Sequence, residues 1–436
     1  MHHPIASDSF VSGDSIPEEI PEPTLAGKSI LVIVQNLPVP FDRRVWQEAK
    51  TLRAAGAHVS VICPKGRGFD ADFETIDGIE IYRHPLPLEA SKISGFFLEY
   101  GWSIFWEARL AWRIWRKRRF DVIQGCNPPD LIFLTALMFK PFGVKYIFDH
   151  HDIVPELFEA KFGKRGFFWR VARALEWLTF RTANVSMATN ESYAQIASQR
   201  GGMDESDVWI VRSGPDLSRL QPVEEVPAWR NGRKHLVGYV GVMGEQEGIE
   251  LLLSAVEHLV HELSREDIQF CLVGSGPKLE DLRTLARQMG LEEYVTFTGS
   301  APDQTLLEVF STMDLGVNPD RVNAMNDKST MNKVLEYMAC SKPLVQFDVK
   351  EGRESAKDAS LYAKPNDPID FAAKIVELVD DPVRRAQMGL AGRKRIETEL
   401  SWNHQIPALL MAYRHVLMGA ERSSQAHTST PSTGTV

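Results

Sequence analysis

Short, uninterrupted apolar runs alternate with longer helical segments along most of this chain, and this alternation constrains the fold more than any other feature. The first run, Ser29–Val34, leads into a loop over 35–44, a helix from about Val45 to Ala55, and a second apolar run over 58–63. A strand that is apolar at every position is typical of a parallel sheet covered on both faces. The order strand, loop, helix, strand therefore predicts a doubly wound α/β sheet. Ligands of such sheets bind beyond the carboxyl ends of the strands, so the 35–44 loop is predicted to border a site.

The alternation is interrupted near the middle of the chain by a polar segment that contains proline. A chain of 436 residues is too long for one ordinary core, and a second strand–helix series begins at about Leu236. We therefore predict two doubly wound domains, over 27–218 and 235–400, joined by a linker over 219–234. A helix over 401–419 is predicted to follow, with packing against the first domain as one arrangement. The polar ends, 1–26 and 420–436, are predicted to be disordered.

Charge and cysteine usage narrow the class of protein. The formal net charge of −9 argues against a nucleic-acid partner, because nucleic-acid-binding proteins normally carry a basic excess. The four cysteines are scattered without metal-ligand spacing, which favours buried free thiols in a reducing compartment over disulfides. Residues 1–26 lack the apolar run of a signal peptide, and no stretch reaches the roughly 18 apolar residues of a membrane-spanning helix. A cytoplasmic protein is expected.

Two polar clusters follow strands in the first half of the chain. The turn Gly125–Asp130 follows one strand, and Asp149-His150-His151-Asp152 follows the next. Two histidines among acids suit either a metal site or a reaction centre. Neighbouring residues of a strand point to opposite sides, so the two histidines are poorly placed to share a metal ion. One histidine oriented by an acid suits acid–base or hydrogen-bonding chemistry, and a histidine that only caps a helix is the structural alternative.

The segment 91–119 has an unusual composition. It contains four tryptophans and ends with five basic residues within seven positions. An aromatic helix with a basic end is suited to an anionic membrane surface, which would favour a lipid-linked acceptor and a position on the inner face of the membrane. A helix that packs inside the domain and leaves its basic end in solvent is the alternative.

The second half places glycine turns after two predicted strands, at Gly241–Gly244 and Gly274–Pro277. Glycine lets a backbone approach a phosphate, although one Gly-x-Gly alone is weak evidence. In a third segment, Ser329 and Thr330 are predicted to cap a helix that carries Glu336. A loop that feeds a helix N-terminus presents N–H groups to a phosphate, and the glutamate could accept ribose hydroxyls. The three features together predict a nucleotide site.

Several motifs resemble those of the retaining glycosyltransferases of family 4, which have the GT-B fold. Those of the first half are PVPFDRRVWQEAKTL at 38–52, NPPD at 127–130, HHDIVPE at 150–156 and RSGPD at 212–216. Those of the second half are GYVGVMG at 238–244, LVGSGP at 272–277 and STMNKVLEYMACSKPLVQFD at 329–348. The resemblance implies two Rossmann-like domains facing across a cleft. The first would bind a saccharide or lipid-linked acceptor, and the second a nucleotide diphospho-sugar.

The resemblance also implies which residues of the second domain bind the donor. Glu336 would hold the ribose hydroxyls. The glycines that would face the phosphates or the nucleobase are Gly241, Gly244, Gly274 and Gly276. The loop whose N–H groups would meet the diphosphate consists of Ser329, Thr330, Met331, Asn332 and Lys333. No cofactor and no metal ion are implied.

The first domain would supply the remaining site residues. His151 would face the transferred sugar, with Asp152 beside it. The acceptor side would include Asn127 and Asp130, and the loop that closes over the sugar would include Pro40, Phe41, Asp42 and Arg43.

The sequence departs from the family pattern at three positions. A carboxylate that normally touches the donor sugar is replaced by Lys328, and two cations after the first glycine turn are replaced near Val242 and at Glu247. Because a leaving diphosphate needs positive charge, we hypothesise that Lys328 and Lys333 supply it. The expected function is sugar transfer in surface polysaccharide or glycolipid assembly. The alternatives are a non-catalytic homologue that binds nucleotide sugars, as a scaffold or regulatory subunit, and a nucleotide-sugar epimerase.

Overall fold

The computed structural model describes residues 25–85, 93–162 and 165–428, which form two compact units. The first unit contains the chain up to Glu159, the chain that follows residue 162 as far as Arg212, and the chain from Gln405 onward. The second contains Ser213–His404 together with Ala160–Phe162. Most of the predicted disordered ends, 1–24 and 429–436, lie outside the described residues.

An eight-stranded sheet in the order β3-β4-β2-β1-β5-β6-β7-β8 forms the centre of the first unit. Neighbouring strands are parallel except β3 and β4, which form an antiparallel edge that the sequence did not predict. The strands are β1 (Ser29–Val34), β2 (His58–Pro64), β3 (Phe73–Ile76), β4 (Ile79–His84), β5 (Val122–Cys126), β6 (Lys145–His150), β7 (Val185–Ala188) and β8 (Val208–Ile210).

Helices connect these strands on both faces of the sheet. They are α1 (Arg43–Ala54), α2 (Ile93–Lys117), α3 (Phe133–Leu137), α4 (Val154–Phe162), α5 (Phe167–Thr182) and α6 (Glu191–Gln195). The connections through α2, α3 and α5 all move across the sheet in one direction, from β4 towards β7, whereas α1 connects β1 to β2 in the opposite direction. Because such crossovers are right-handed, α2, α3 and α5 lie on one face and α1 lies on the other.

The second unit contains a six-stranded parallel sheet in the order β11-β10-β9-β12-β13-β14. Its strands are β9 (His235–Val240), β10 (Ile268–Val273), β11 (Val295–Gly299), β12 (Leu315–Asn318), β13 (Leu344–Phe347) and β14 (Ser360–Ala363). Its helices are α7 (Ile249–Glu257), α8 (Leu279–Gln288), α9 (Asp303–Thr312), α10 (Asn332–Ala339), α11 (Lys350–Ala356), α12 (Pro368–Val379) and α13 (Pro382–Arg395).

The apolar strands of this sheet divide their side chains between two core layers. In β10, Phe270 and Leu272 belong to the layer that contains α7 and α12, whereas Cys271 and Val273 belong to the layer that contains α9 and α10. Successive side chains of a strand point to opposite faces, so a sheet covered on both faces requires an apolar residue at every position. The prediction of two doubly wound α/β units is confirmed.

Two predicted boundaries change in the structure. The helix α10 begins at Asn332 with Met331 at its cap position and no side-chain cap bond, so the prediction that Ser329 or Thr330 caps it is wrong. The Ser329 hydroxyl instead donates to the carbonyl of Met325 at 2.9 Å. The helix α1 begins at Arg43, because the Asp42 carboxylate accepts the N–H of Val45 at 3.1 Å and caps it.

The segment 219–234, which the sequence predicts to be a linker, belongs to the second unit. Leu220 is fully buried in one of its core layers, and the N–H of Val223 donates to the Ser311 hydroxyl at 2.9 Å. The reason is that a polar segment can still contribute one apolar side chain and its backbone donors to a neighbouring helix.

The last helix, α14 (Trp402–Thr428), continues beyond the predicted limit of 419, where Ala420, Glu421 and Arg422 have high helix propensity. Along its length, His415 contacts Asp207 at 2.8 Å and Tyr413 bonds to Gln124, so the helix packs on the first unit. No helix among the described residues is long and apolar enough to cross a bilayer.

Candidate active site

The two predicted glycine turns meet at the carboxyl ends of β9 and β10, which are neighbours in the sheet. Backbone hydrogen bonds join them directly: Gly241 N–H to the Val273 carbonyl at 3.0 Å, and Met243 N–H to the Ser275 carbonyl at 3.1 Å. The structure therefore brings the two halves of the predicted donor site together.

Close approach of the two backbones excludes side chains at this point. A Cβ atom on Gly274 would lie 1.8 Å from the Gly241 carbonyl oxygen, and one on Gly276 would lie 2.5 Å from the Met243 carbonyl oxygen. Gly274 also has φ +143°, in the region that favours glycine. A Cβ on Gly244 would meet first the end of the Glu247 side chain, at 2.6 Å. The turns present bare backbone, which is the requirement for close contact with a phosphate.

Lys333 places a cation at the same turns. Its ammonium is 2.7 Å from Oδ1 of Asp320, which follows β12, and 5.0 Å from the ring centroid of Tyr239. Its Cε is 3.3 Å from the position that a Cβ on Gly241 would take. Burial raises the pKa of Asp320, and the ammonium opposes that rise. One of the two hypothesised cations thus lies beside the glycine turns, next to a buried acid.

Glu336 lies on α10, one turn beyond Lys333, and has a partner that the sequence did not reveal. Arg219 donates to Glu336 Oε1 at 3.0 Å and to Asp303 Oδ2 at 3.2 Å. The Glu336 side chain is 15% exposed, so an outside hydroxyl can still reach it. A carboxylate held in one orientation by an arginine is suited to accept hydroxyl donors.

The loop before α10 is tied to the segment after the first glycine turn. The Asn326 side-chain amide donates to the carbonyls of Gln246 and Arg321, both at 2.9 Å. Lys328, Ser329, Thr330 and Met331 are half-buried and Asn332 is exposed. The loop therefore lies close to the turns, while its side chains do not cap the helix as predicted.

In the first unit, His151 is held by a buried charged cluster. Its Nε2 lies 2.7 Å from Asp149 Oδ2 and 2.9 Å from Arg44 Nε. With a proton on Nε2 the ring donates to Asp149, and without one Nε2 accepts from Arg44. Either form of the ring therefore keeps one of these two hydrogen bonds. The His151 side chain remains 14% exposed. The ring is therefore oriented by an acid, as the sequence predicts, and also by an arginine that it does not.

Glu48 completes this cluster from the next turn of α1. Its carboxylate is 3.1 Å from Arg44, and both carboxylates of the cluster are fully buried. Burial raises the pKa of Glu48 well above its ordinary value, and the Asp149 charge adds to the rise. Burial alone would raise the pKa of Asp149 too, but Arg44 and His151 outweigh it and bring that pKa below its usual range. Asp149 is thus the carboxylate with the lowered pKa beside Arg44, and Glu48 is the one whose neutral form burial favours.

A hydrogen-bonded chain connects this cluster to the C-terminal helix. The side-chain amide of Gln124 donates to Glu48 Oε2 at 2.7 Å and to Asp149 Oδ2 at 2.8 Å. The hydroxyl of Tyr413, on α14, donates to the carbonyl oxygen of the same side chain. All three partners are buried, so Tyr413 orients the amide that orients the acid beside His151.

The two polar turns of the first unit support one another through Asn127. Its side-chain carbonyl accepts the N–H groups of His151 at 2.6 Å and Asp152 at 3.1 Å, and its amide donates to Asp130 at 2.8 Å. Burial raises the pKa of Asp130 to about 8. Burial also raises the pKa of Asp152. The interaction with His151 lowers that pKa, and the interaction with Asp42 raises it further. The structure therefore brings these predicted residues together.

His150 points away from this cluster. Its ring is fully buried, stacks on Phe148 with 5.1 Å between centroids, and lies 4.9 Å from Tyr193. Burial lowers its pKa to about 3. It is a neutral core residue, in agreement with opposite directions for the two histidines.

The loop predicted to border the site ends at α1. Phe41 is 45% exposed and Arg43 is exposed, whereas Pro40 is buried and Asp42 is committed to capping the helix. The arginine that enters the cluster is Arg44. Its spacing of four residues from Glu48, on an otherwise apolar helix face, is the signal that identifies it.

Distance alone would also allow a metal ion near His151. Potential ligand atoms of Glu48, Cys126, Asp149 and His151 all lie within 4.8 Å of one another. The Arg44 guanidinium already contacts both carboxylates, so it supplies the positive charge that a metal ion would bring to this cluster.

Two family models match the chain. The model described as Glycosyltransferase Family 4 matches residues 42–219, and the model described as Glycosyl transferases group 1 matches residues 234–381. Together they match about three quarters of the chain.

Curated relatives are more distant. The chain is 28% identical over 202 residues to a GDP-mannose-dependent monoacylated alpha-(1-6)-phosphatidylinositol monomannoside mannosyltransferase of Corynebacterium glutamicum, across 44% of this chain and 51% of the relative. It is 25% identical over 358 residues to the 2-deoxystreptamine glucosyltransferase of Streptomyces kanamyceticus, across 79% of this chain and 90% of the relative. The chain thus spans about half of the first relative.

Solved structures share the fold at low identity. Sucrose-phosphate synthase from Thermosynechococcus elongatus aligns with a TM-score of 0.74 and 19% identity, across 90% of this chain and 100% of that one. Anabaena HepE in complex with UDP and glucose aligns with a TM-score of 0.64 and 15% identity, across 92% of this chain and 99% of that one. The fold and the matches define the class as glycosyltransferases with the GT-B fold. This chain belongs to the group 1 glycosyltransferases, and the predicted resemblance to family 4 is confirmed.

Proposed function

We propose that this glycosyltransferase moves a sugar from a nucleotide diphospho-sugar to an acceptor, with retention of anomeric configuration and without a cofactor. The observation that carries the proposal is the pair of joined glycine turns with the Lys333 ammonium beside them. Bare backbone and a fixed cation suit a diphosphate that gains negative charge as the sugar leaves.

The residues of the second unit then divide the donor between them. Lys333, together with Lys328 and N–H groups of residues 329–333, neutralises the diphosphate. Glu336, oriented by Arg219, accepts ribose hydroxyls. The names of relatives support a nucleotide donor, since one is GDP-mannose-dependent and Anabaena HepE was solved with UDP-glucose.

The first unit takes the acceptor in this proposal. His151 donates a hydrogen bond to the transferred sugar, and Asn127 keeps the backbone of His151 and Asp152 in place. A lipid-linked or saccharide acceptor in surface polysaccharide or glycolipid assembly is supported by two names, the phosphatidylinositol mannoside enzyme and WaaG of lipopolysaccharide biosynthesis.

The test is to incubate the purified protein with a panel of labelled UDP- and GDP-sugars and a lipid extract. We expect nucleotide release with label in one product, whose anomeric proton coupling matches that of the donor. An inverted product would overturn retention. Binding without transfer would support the non-catalytic homologue, and an isomerised donor would support the epimerase.

Matched glycine variants provide the control for this assay. Gly274→Ala places a Cβ against the neighbouring turn, whereas Gly232→Ala, also at positive φ, meets nothing within 4 Å. We expect only the first to abolish nucleotide binding and transfer. Equal activity of the two variants would place the donor elsewhere.

A further inference from the structure

One face of the first unit concentrates exposed apolar side chains. Of the eighteen large apolar residues that the described structure exposes, nine lie on α2, α3, α5 and the turn after α3. Scattered single residues of this kind are ordinary on a protein surface, whereas a contiguous group marks an interaction site. The three helices share one face of the sheet, and α3 contacts both α2 and α5.

The exposed side of α2 changes from apolar to basic along its length. Trp102 and Phe105 are 45% and 56% exposed, and they are followed by exposed Arg109, Arg113 and Arg116 at spacings of three or four residues. At about 100° per residue these five positions fall within an arc of about 80°. One stripe of the helix therefore combines aromatic rings with guanidinium groups.

The other tryptophans of this helix have a different role. Trp112 and Trp115 pack against Phe139, with ring centroids 4.8 and 5.4 Å apart, and Trp106 is half-buried. The packing alternative weighed from the sequence thus accounts for three of the four tryptophans. The apolar surface is instead extended by α3 and the turn after it.

That extension consists of Leu134, Leu137, Met138 and Phe142, exposed by 39 to 57%. Phe142 also touches Trp112 of α2, with ring centroids 6.0 Å apart, so the apolar surface is continuous between the two helices. We name Trp102, Phe105 and these four residues the α2–α3 surface.

We propose that the α2–α3 surface docks on an anionic lipid bilayer, with its apolar side chains in the interface and the arginines on lipid phosphates. The protein as a whole is acidic, with a net charge of −9, so this basic stripe is a local feature that matches an anionic partner. The same set of side chains on a second copy of this chain would offer the arginines no anionic partner, which disfavours self-association through this face. A lipid-linked acceptor would be reached at this membrane surface, and this part of the inference rests on the proposed function.

The test is cosedimentation of the full-length protein with vesicles of phosphatidylcholine alone or mixed with phosphatidylglycerol. At about 0.01 M salt, where the Debye length is about 30 Å, we expect binding only to the mixed vesicles, with release at about 1 M salt, where it is about 3 Å. Phe105→Ser with Phe142→Ser should weaken partitioning by about tenfold or more, since each ring leaves the interface. Arg113→Glu with Arg116→Glu should remove the preference for phosphatidylglycerol.

A matched control comes from the second unit. Val383 and Leu390 are 65% and 66% exposed on α13, so Val383→Ser with Leu390→Ser removes comparable apolar area away from the α2–α3 surface and should leave vesicle binding unchanged. All of these positions are exposed, so unchanged circular dichroism spectra are expected. Absence of vesicle binding at low salt, or binding that the phenylalanine variant does not weaken, would overturn the proposal. So would a concentration-dependent dimer, seen by light scattering, that this variant abolishes.

Vesicle binding is measured without donor or acceptor, so its failure is distinct from failure of the proposed function. A protein that binds vesicles but transfers no sugar would contradict only the function. One that transfers sugar but ignores vesicles would contradict only the docking surface.

Discussion

Replacement of Lys333 tests the donor site most directly, because stability and nucleotide affinity report separately on its two roles. The first role is the ion pair with Asp320, and the second is the proposed contact with the diphosphate. Lys333 and Asp320 are 11% and 3% exposed and 2.7 Å apart. Lys333→Met keeps most of the stem and leaves the Asp320 carboxylate buried beside no ammonium. Removal of one partner of a buried pair typically costs about 3–5 kcal/mol of the free energy of unfolding.

Protonation of Asp320 gives an independent upper limit for this loss of stability. Without Lys333, Asp320 can escape the penalty by taking a proton, and at pH 7 this costs about 4 kcal/mol for a carboxyl with an unfolded pKa near 3.9. Burial favours the neutral form in the folded state, so the folded pKa lies above the unfolded one and the folded variant binds more protons. The stability of Lys333→Met should therefore fall as pH rises from about 4 towards the folded pKa, by up to about 1.4 kcal/mol per pH unit.

The second variant of the cycle removes the acid. Lys333→Met with Asp320→Asn removes both charges of the pair and leaves only the half-buried Glu247 carboxylate nearby, so we expect it to recover most of the lost stability and to lose most of the pH dependence. Donor affinity should behave differently. A hydrogen bond to a charged group contributes about 1.5–3 kcal/mol, so both variants that lack Lys333 should bind the diphosphate about 10 to 150 times more weakly.

Urea denaturation at several pH values gives the stabilities, and calorimetric titration with UDP and GDP gives the affinities. Asp320→Asn alone is the matched control: it keeps the cation and removes its competitor, so its affinity should equal or exceed that of the wild type. If the double variant bound the nucleotide as tightly as the wild type, Lys333 would not contact the diphosphate. If Lys333→Met were as stable as the double variant at every pH, the buried-charge argument would be wrong.

Three further predictions concern the remaining site residues. Tyr413→Phe leaves the carbonyl of Gln124 without its buried donor, so thermal unfolding should show a loss of about 1–3 kcal/mol, and transfer should fall while nucleotide affinity stays constant. Burial and the Asp149 charge favour the neutral form of Glu48, so Glu48→Gln should cost less stability by denaturant titration than Asp149→Asn, which removes the ionised partner of the buried Arg44 and should cost up to about 3–5 kcal/mol; equal effects would contradict this difference between the two carboxylates. Gly274→Ala should lose nucleotide binding in calorimetry, because its Cβ would lie 1.8 Å from a carbonyl oxygen, and retained affinity would place the donor away from the turns.

The fold follows from the sequence because its determinants are local and repeated. Each fully apolar strand requires cover on both faces, and this requirement alone predicts two doubly wound sheets. The edge strand β3 escapes the same reasoning, since its residues Phe73–Ile76 alternate exposed and half-buried positions and form no apolar run. Caps are also local, but Asp42 and Ser329 look equivalent in sequence, and only the path of the chain decides which side chain reaches a free N–H.

The sequence predicts only those site residues that lie next to strand ends. The glycine turns and His151 follow strands directly, so their position is fixed by the sheet. Arg219 is 117 residues from Glu336 and lies in a segment whose composition indicates a linker, so no local pattern connects the two. Arg44 is preceded by another arginine, and only its spacing of four residues from Glu48 distinguishes the two in the sequence.

Each unit has a buried ion pair at its site, in which an aspartate at a strand end holds a cation of the following or neighbouring helix. Asp149 near the end of β6 is paired with Arg44, and Asp320 just after β12 is paired with Lys333; each cation is the second residue of its helix. Buried pairs of this kind add little net stability, because desolvation offsets the attraction between the charges. What each pair does is hold a long, flexible cation in one place before any ligand arrives, so that binding does not have to restrict it. In the first unit that cation orients His151, and in the second it lies at the glycine turns where the family's usual cations are absent. The expectation that Lys333 substitutes for them therefore rests on a side chain already ordered by Asp320.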